Sequence, residues 1–148
     1  TGVQTCALPI WLLWTGSDLM AFGAMEAIEA AGQNPARGWH ISSINTSKAA
    51  MQAVVDGRIK ALAGGHFLAG AWALVMLYDY EHGRDFADEG LMLERPMFML
   101  FDKAAAQRVL ARFGDEMPAL DFRPYCKALN PRLRKYRFDP ESLLKAHP

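Results

Sequence analysis

Apolar and polar positions along this chain switch repeatedly between a short continuous run and a helical spacing. Trp11-Leu12-Leu13-Trp14 is an apolar run that ends in Thr15-Gly16-Ser17-Asp18, which predicts a buried strand followed by a turn. Ser17 or Asp18 is placed to cap a helix reaching about Ala31, with Leu19, Phe22, Met25 and Ile28 recurring every three residues as its inner face. Gly32 stops that helix and Gln33-Asn34-Pro35 forms the loop.

The same unit then repeats. Trp39 to Ile44 reads as a strand, Asn45-Thr46-Ser47 as a turn with a cap, and Lys48 to Asp56 as a helix with Met51, Val54 and Val55 inward and Gly57 at its end. Ile59 to Ala63 is a third strand, Gly64-Gly65-His66 a turn, and Phe67 to His82 a strongly apolar helix ended by Gly83. Strands that alternate with helices predict a parallel sheet with helices on its faces. Beyond Gly83 the pattern weakens. Arg84 to Gly90 is a polar loop and Pro96 to Phe101 a further strand, with proline at its start where a missing N–H does least harm. Asp102 caps a helix over Lys103 to Phe113, and Gly114 closes it. From Asp115 the chain is rich in proline and basic residues and reads as an irregular tail wrapping the surface, with a last helix at Pro140 to Lys145 capped by Asp139.

Composition bounds this picture without changing it. The 148 residues suit one domain or one large lobe, and 51% hydrophobic content can fill a core. Sixteen basic and sixteen acidic residues cancel, so there is no broad electrostatic footprint for nucleic acid or an anionic membrane. The basic run Arg132 to Arg137 reads as a solvated face. The longest apolar stretch, Phe67 to Tyr78, is well short of the ~20 residues that cross a bilayer.

The first ten residues, Thr1 to Ile10, back-translate to a string that resembles a common sequencing-library adapter. They are therefore expected not to belong to the natural protein, and Cys6 with them. Cys126 would then stand alone, with no internal disulfide expected.

Ligands of parallel α/β sheets bind outside the carboxyl ends of the strands. Three turns fall there and bring Trp14, Ser17, Asn45 and His66 as candidate ligand-binding residues. An indole, a hydroxyl, a carboxamide and an imidazole suit a polyhydroxylated ligand, because the polar groups donate and accept as a sugar hydroxyl does. The bland alternatives are two helix caps, a core indole and a satisfied imidazole. No catalytic or metal residue is expected. G-x-S-x-G, P-loop and G-x-G-x-x-G patterns are absent, Asp79, His82 and Asp85 are separated by the helix break at Gly83, and Cys126 lacks an activating partner. The Met and aromatic content of Leu74 to Tyr80 reads as core rather than as a cofactor box.

Ser17-Asp18-Leu19-Met20-Ala21-Phe22-Gly23-Ala24, continuing to Gly32, resembles the ND-x-MA-x-GA segment of the ribose/galactose-type periplasmic binding proteins. Val54-Val55-Asp56-Gly57-Arg58-Ile59 resembles a later step of the same family, and the likeness runs from about Trp11 to Gly83. It implies an α/β, Rossmann-like lobe of a two-lobed periplasmic protein whose N-terminal lobe is largely missing. Residues 11–114 would be the family region, with a C-terminal extension at 115–148. Trp11 to Gly64 would belong to the second lobe, Gly65 and His66 would lie near the hinge, and the helix from Phe67 would pack in the first lobe. Ser17 matches a family Asn that contacts ligand, Asn45 a family Asp, and His66 a hinge-side polar contact. The changed identities argue against ribose itself.

The implied function is non-enzymatic: hinge closure on a sugar or polyol in the periplasm, with no cofactor, followed by docking on a membrane permease of an ABC-type uptake system or on a sensor protein. A receptor feeding a sensor kinase, the effector domain of a lactose-repressor-type regulator and a small α/β hydrolase are the alternatives, the last weakened by the missing nucleophile–base set.

Overall fold

A computed structural model describes residues 11–90, 92–94, 96–113 and 120–145. Residues 1–10, read above as translated adapter, and Gly114, the expected helix stop, lie outside them. The chain forms two compact units. Among the described residues, the first runs to Ala63 and takes in Leu100–Phe113, and the second holds those of Gly64–Met99 and those from Leu120 on.

The first unit is built on a four-stranded sheet in the order β1-β2-β3-β4, with β1 at Leu12–Thr15, β2 at His40–Ile44, β3 at Ala61–Gly64 and β4 at Met99–Phe101. β1 runs parallel to β2 and β2 to β3, as the strand–helix alternation predicts. α1 (Asp18–Ala30) and α2 (Lys48–Val55) are the crossovers, and α4 (Lys103–Phe113) packs on α2. Crossovers of this kind are right-handed, so strands added in one direction place their helices on one face. Side-chain burial follows that rule. Ile41, Ser43 and Leu62 point at the helices and are buried. On the other face Leu12 is 71% and Trp14 66% exposed, and Leu100, alternating with buried Phe101, is 68% exposed.

This corrects one expectation. The run Trp11 to Trp14 is not a buried strand. β1 is an edge strand, and nothing among the described residues covers its outer face. Continuous apolarity is the mark of a strand covered on both faces; here only one face is covered.

The helices are as the spacing predicts, with shifts. Ser17 is the N-cap of α1 and Ser47 that of α2, their hydroxyls accepting from the amides of Leu19 and Ala50. The inner stripe of α1 is Asp18, Ala21, Met25 and Ile28, whereas Leu19 is exposed and Phe22 half-buried. Steps of three residues drift off a 3.6-residue turn, so a run of them cannot stay on one face; the real stripe alternates steps of three and four. The third strand begins at Ala61 rather than Ile59, and the fourth at Met99 rather than Pro96. Ile59 is still core.

In the second unit, α3 (Leu68–Glu81) buries Leu68, Trp72, Val75 and Asp79 along one stripe. Leu74, Leu77, Tyr78 and Tyr80 are exposed, so the segment Leu74 to Tyr80 is core on one side only. The tail is the larger correction: it does not wrap a surface but completes the core. Cys126, Tyr136, Phe138 and Leu143 are buried with the α3 stripe. Trp72 stacks on Phe138 at 4.7 Å and meets Phe122 and Tyr125 edge-on at 5.0 Å each. Aromatic pairs of this geometry add to the area they bury. The last helix, α5 (Pro140–Lys145), starts where Asp139 accepts from the Glu141 amide at 3.0 Å, as predicted.

Asp79 anchors the tail. It is fully buried and accepts from the Cys126 thiol (2.9 Å), the amides of Lys127 (2.8 Å) and Ala128 (2.7 Å) and the Tyr136 hydroxyl (2.8 Å). Burial raises its pKa, but these donors outweigh burial and hold it below the usual aspartate value. The thiol is raised instead, by burial and by the carboxylate beside it, which makes Cys126 structural rather than nucleophilic. Lys127, itself buried, pairs with Asp88 and Glu89 at 3.1 Å each.

Candidate functional site

At the carboxyl edge of β1 and β2 the first unit gathers a small polar cluster. Thr15 ends β1 and donates from Oγ1 to Ser43 Oγ at 2.8 Å, so two buried hydroxyls satisfy each other. Three residues on is Asp18, at the start of α1 and only 2% exposed. Its Oδ1 accepts from its neighbour's amide, Leu19 N, at 2.9 Å, from Asn45 Nδ2 at 3.1 Å, and from Ser17 Oγ at 3.4 Å. Ser47, the cap of α2, also donates to it through side chain and backbone. Burial alone raises the Asp18 pKa, but the donors from Ser47, Asn45 and Leu19 more than offset it and leave the carboxyl below its ordinary value. A buried negative charge thus ties the turn after β1 to the turn after β2.

Asn45 carries φ of 101°, the left-handed region, which asparagine tolerates better than most side chains. Its amide nitrogen donates to Ala63 O at 2.9 Å, and its Oδ1 accepts from Thr46 N at 3.0 Å. The residue is exposed, so an edge of its carboxamide faces solvent.

Of the four residues expected to bind ligand, the structure brings two together. Ser17 and Asn45 meet through Asp18. Trp14 sits one residue before Thr15, on the uncovered face of the sheet beside Ser42, and no described hydrogen bond or ring contact joins it to the cluster. His66 lies in the second unit, exposed and stacked on Phe98 with ring centroids 5.3 Å apart. Just before it, Gly65 has φ of 102°, and a side chain there would meet the carbonyl oxygen of Met97 at 2.7 Å. Glycine is required where two backbone segments pass this closely. Asp18 is the residue that the sequence treats only as a possible helix cap. A carboxylate directly after a serine cap is the available signal, and it does not distinguish a cap from a buried bridge.

In the second unit an apolar groove of about 650 Å³ is lined by Leu74, Val75, Tyr78, Phe122 and Leu129. Its charged residues, Asp121 and Arg123, bond to each other at 2.7 Å, so it lacks the convergent polar groups that orient a hydroxylated ligand. No group of three or more His, Cys, Asp or Glu side chains among the described residues is placed to hold a metal ion. No helix among them is long and apolar enough to cross a membrane.

Solved structures share this fold. A periplasmic sugar-binding protein from Pseudomonas fluorescens matches over 90% of this chain with a TM-score of 0.78 and 36% sequence identity. The chain has the fold of a periplasmic sugar-binding protein. Two structures from Mycobacterium smegmatis also match, with TM-scores of 0.55 and 0.56 at 28% and 29% identity over 71% and 70% of the chain. One of them is a complex with β-D-fucofuranose. The chain spans 41% of the Pseudomonas protein and 34% and 33% of the Mycobacterium chains. No family model matches the sequence, and no curated protein matches it.

Proposed function

We propose that this chain is part of the sugar-binding component of a periplasmic uptake system and works by closing two lobes on a ligand, without chemistry. The observation that carries the reading is the buried Asp18 cluster. It fixes Ser17 and Asn45 at the strand ends, where sheets of this kind bind ligands, in a fold 36% identical to a periplasmic sugar-binding protein. The chain's division after Ala63, and again after Met99, supports a first unit that belongs to one lobe and a connection through Gly65 and His66 near the hinge. Trp14 would supply an aromatic face for the apolar side of a sugar ring, and Ser17, Asn45 and His66 its hydrogen bonds. Docking on an ABC-type permease is part of the proposal. The periplasmic sugar-binding relative favours it over a lactose-repressor-type regulator.

A thermal-shift screen against D-fucose, D-galactose, D-ribose and related polyols tests this. At least one sugar should raise Tm, and Asn45→Ala and His66→Ala should each weaken its binding by about 1–3 kcal/mol, the cost of a lost buried hydrogen bond. Unchanged affinity in both variants removes those residues from the site. No stabilisation by any sugar, together with turnover of an ester or phosphate, overturns the reading.

A further inference from the structure

We propose that Asp18 is a positioning residue: it sets the orientation of the Asn45 carboxamide, and so decides which hydrogen-bonding groups the second turn offers a ligand. The inference deepens the proposed sugar site and rests on it.

An asparagine side chain has two N–H donors and two acceptor lone pairs, and at an exposed position it can flip end for end. Asn45 cannot flip freely. One of its N–H groups points at the buried Asp18 carboxylate at 3.1 Å, and one lone pair of Oδ1 takes the Thr46 amide at 3.0 Å. A flipped amide would turn its oxygen toward that carboxylate and its nitrogen toward the Thr46 N–H, replacing two attractions by two repulsions. What remains is one N–H and one lone pair, at fixed places on an exposed edge. Each sugar hydroxyl donates and accepts, so a fixed donor beside a fixed acceptor selects the direction in which a ligand's hydroxyls point. Asp18 is itself too buried to reach a ligand, at 2% exposure. It therefore acts through Asn45. Its remaining donors, from the Leu19 amide and from Ser17 and Ser47, hold the carboxylate still.

The experiment uses the intact chain with ¹⁵N labelling. The Asn45 side-chain NH₂ signals, assigned by their loss in Asn45→Ala, should form a well-separated and slowly exchanging pair. In Asp18→Ala, which removes the acceptor, the pair should collapse toward free-amide positions and exchange at least tenfold faster, whereas Asp18→Asn, which keeps an oxygen at the Oδ1 position, should hold it. Unchanged Asn45 signals in Asp18→Ala overturn the proposal. Binding of D-fucose supplies the second arm. Asp18→Ala should weaken it about five- to tenfold in the wild-type background and have no effect in Asn45→Ala, a non-additivity expected only when one residue works through the other. Additive losses overturn the proposal, because they show that Asp18 acts on its own. If wild type shows no affinity for D-fucose, that ligand assignment fails, while the side-chain amide signals still decide whether Asp18 orients Asn45.

Discussion

Asp79→Ala is expected to destabilise the second unit by about 3–5 kcal/mol, since each buried donor left without an acceptor costs about 1–3 kcal/mol before the site relaxes. The carboxylate is completely buried and takes four donors, from the Cys126 thiol, the Lys127 and Ala128 amides and the Tyr136 hydroxyl. Removing it leaves four donors facing an apolar core with no acceptor. Asp79→Asn recovers only part of the loss, since its single carbonyl oxygen replaces one carboxylate oxygen and its NH₂ faces two of the donors. Single removals of a donor leave the acceptor with three partners and cost less. Tyr136→Phe and Cys126→Ala are each expected near 1 kcal/mol. Denaturant unfolding followed by hydrogen exchange of the α3 amides measures the series. A loss under about 1 kcal/mol for Asp79→Ala would show that the tail is held by its aromatic residues alone.

The same carboxylate makes part of the stability depend on pH, with a definite sign. Its folded pKa is depressed, as the four donors outweigh burial. The unfolded value is about 3.9. Its contribution is therefore complete above about pH 4 and is lost as pH falls through the lower folded value. The difference in stability between wild type and Asp79→Asn should be constant from pH 7 to about pH 5 and shrink below pH 4.

The tail shows where sequence reading stops. Strands and helices over residues 11–113 were legible because each obeys a local rule: Ser17 and Ser47 cap, Gly57 and Gly83 terminate, and apolar spacing changes period between them. Tyr136 and Phe138 obey no such rule. Two residues apart, between prolines and arginines, they resemble a surface segment, and only the long-range meeting with Trp72 and Asp79 buries them. The candidate site divides the same way. Ser17 and Asn45 could be placed at strand ends from their turns, but the carboxylate joining them spans 27 residues of sequence and leaves no periodic trace. The run Trp11 to Trp14 reads as a buried strand because an apolar run reports that a strand wants cover, not that it has it.

That uncovered face has the other large consequence. Leu12, Trp14 and Leu100 project from the side of the sheet opposite α1, α2 and α4, each about two-thirds exposed or more. All-parallel sheets are almost always covered on both faces. Burying one leucine or tryptophan contributes about 1.5–3 kcal/mol, so the patch can drive association wherever a second apolar surface is within reach. Among the described residues, β1 has no partner on its outer edge, which favours growth by strand addition. The 148-residue chain on its own is therefore expected to self-associate as concentration rises, and Leu12→Thr/Leu100→Thr to shift it toward the 16.4 kDa monomer in sedimentation velocity. Threonine keeps strand propensity, and neither leucine is packed against a helix, so Tm should move little, with a stability change within about 0.5 kcal/mol. A loss of 2 kcal/mol or more in the double variant would mean that both leucines already have partners, and the bare face would be refuted. A monomeric wild type at high concentration would show that the exposed patch is too small to bind a copy of itself. In a protein as long as the Pseudomonas relative, of which this chain spans 41%, further chain is available to lie over Leu12 and Leu100, which should then be silent. The leucine substitutions would cost stability only in that longer protein, so comparing the two lengths separates a surface that is merely exposed from one built to be covered.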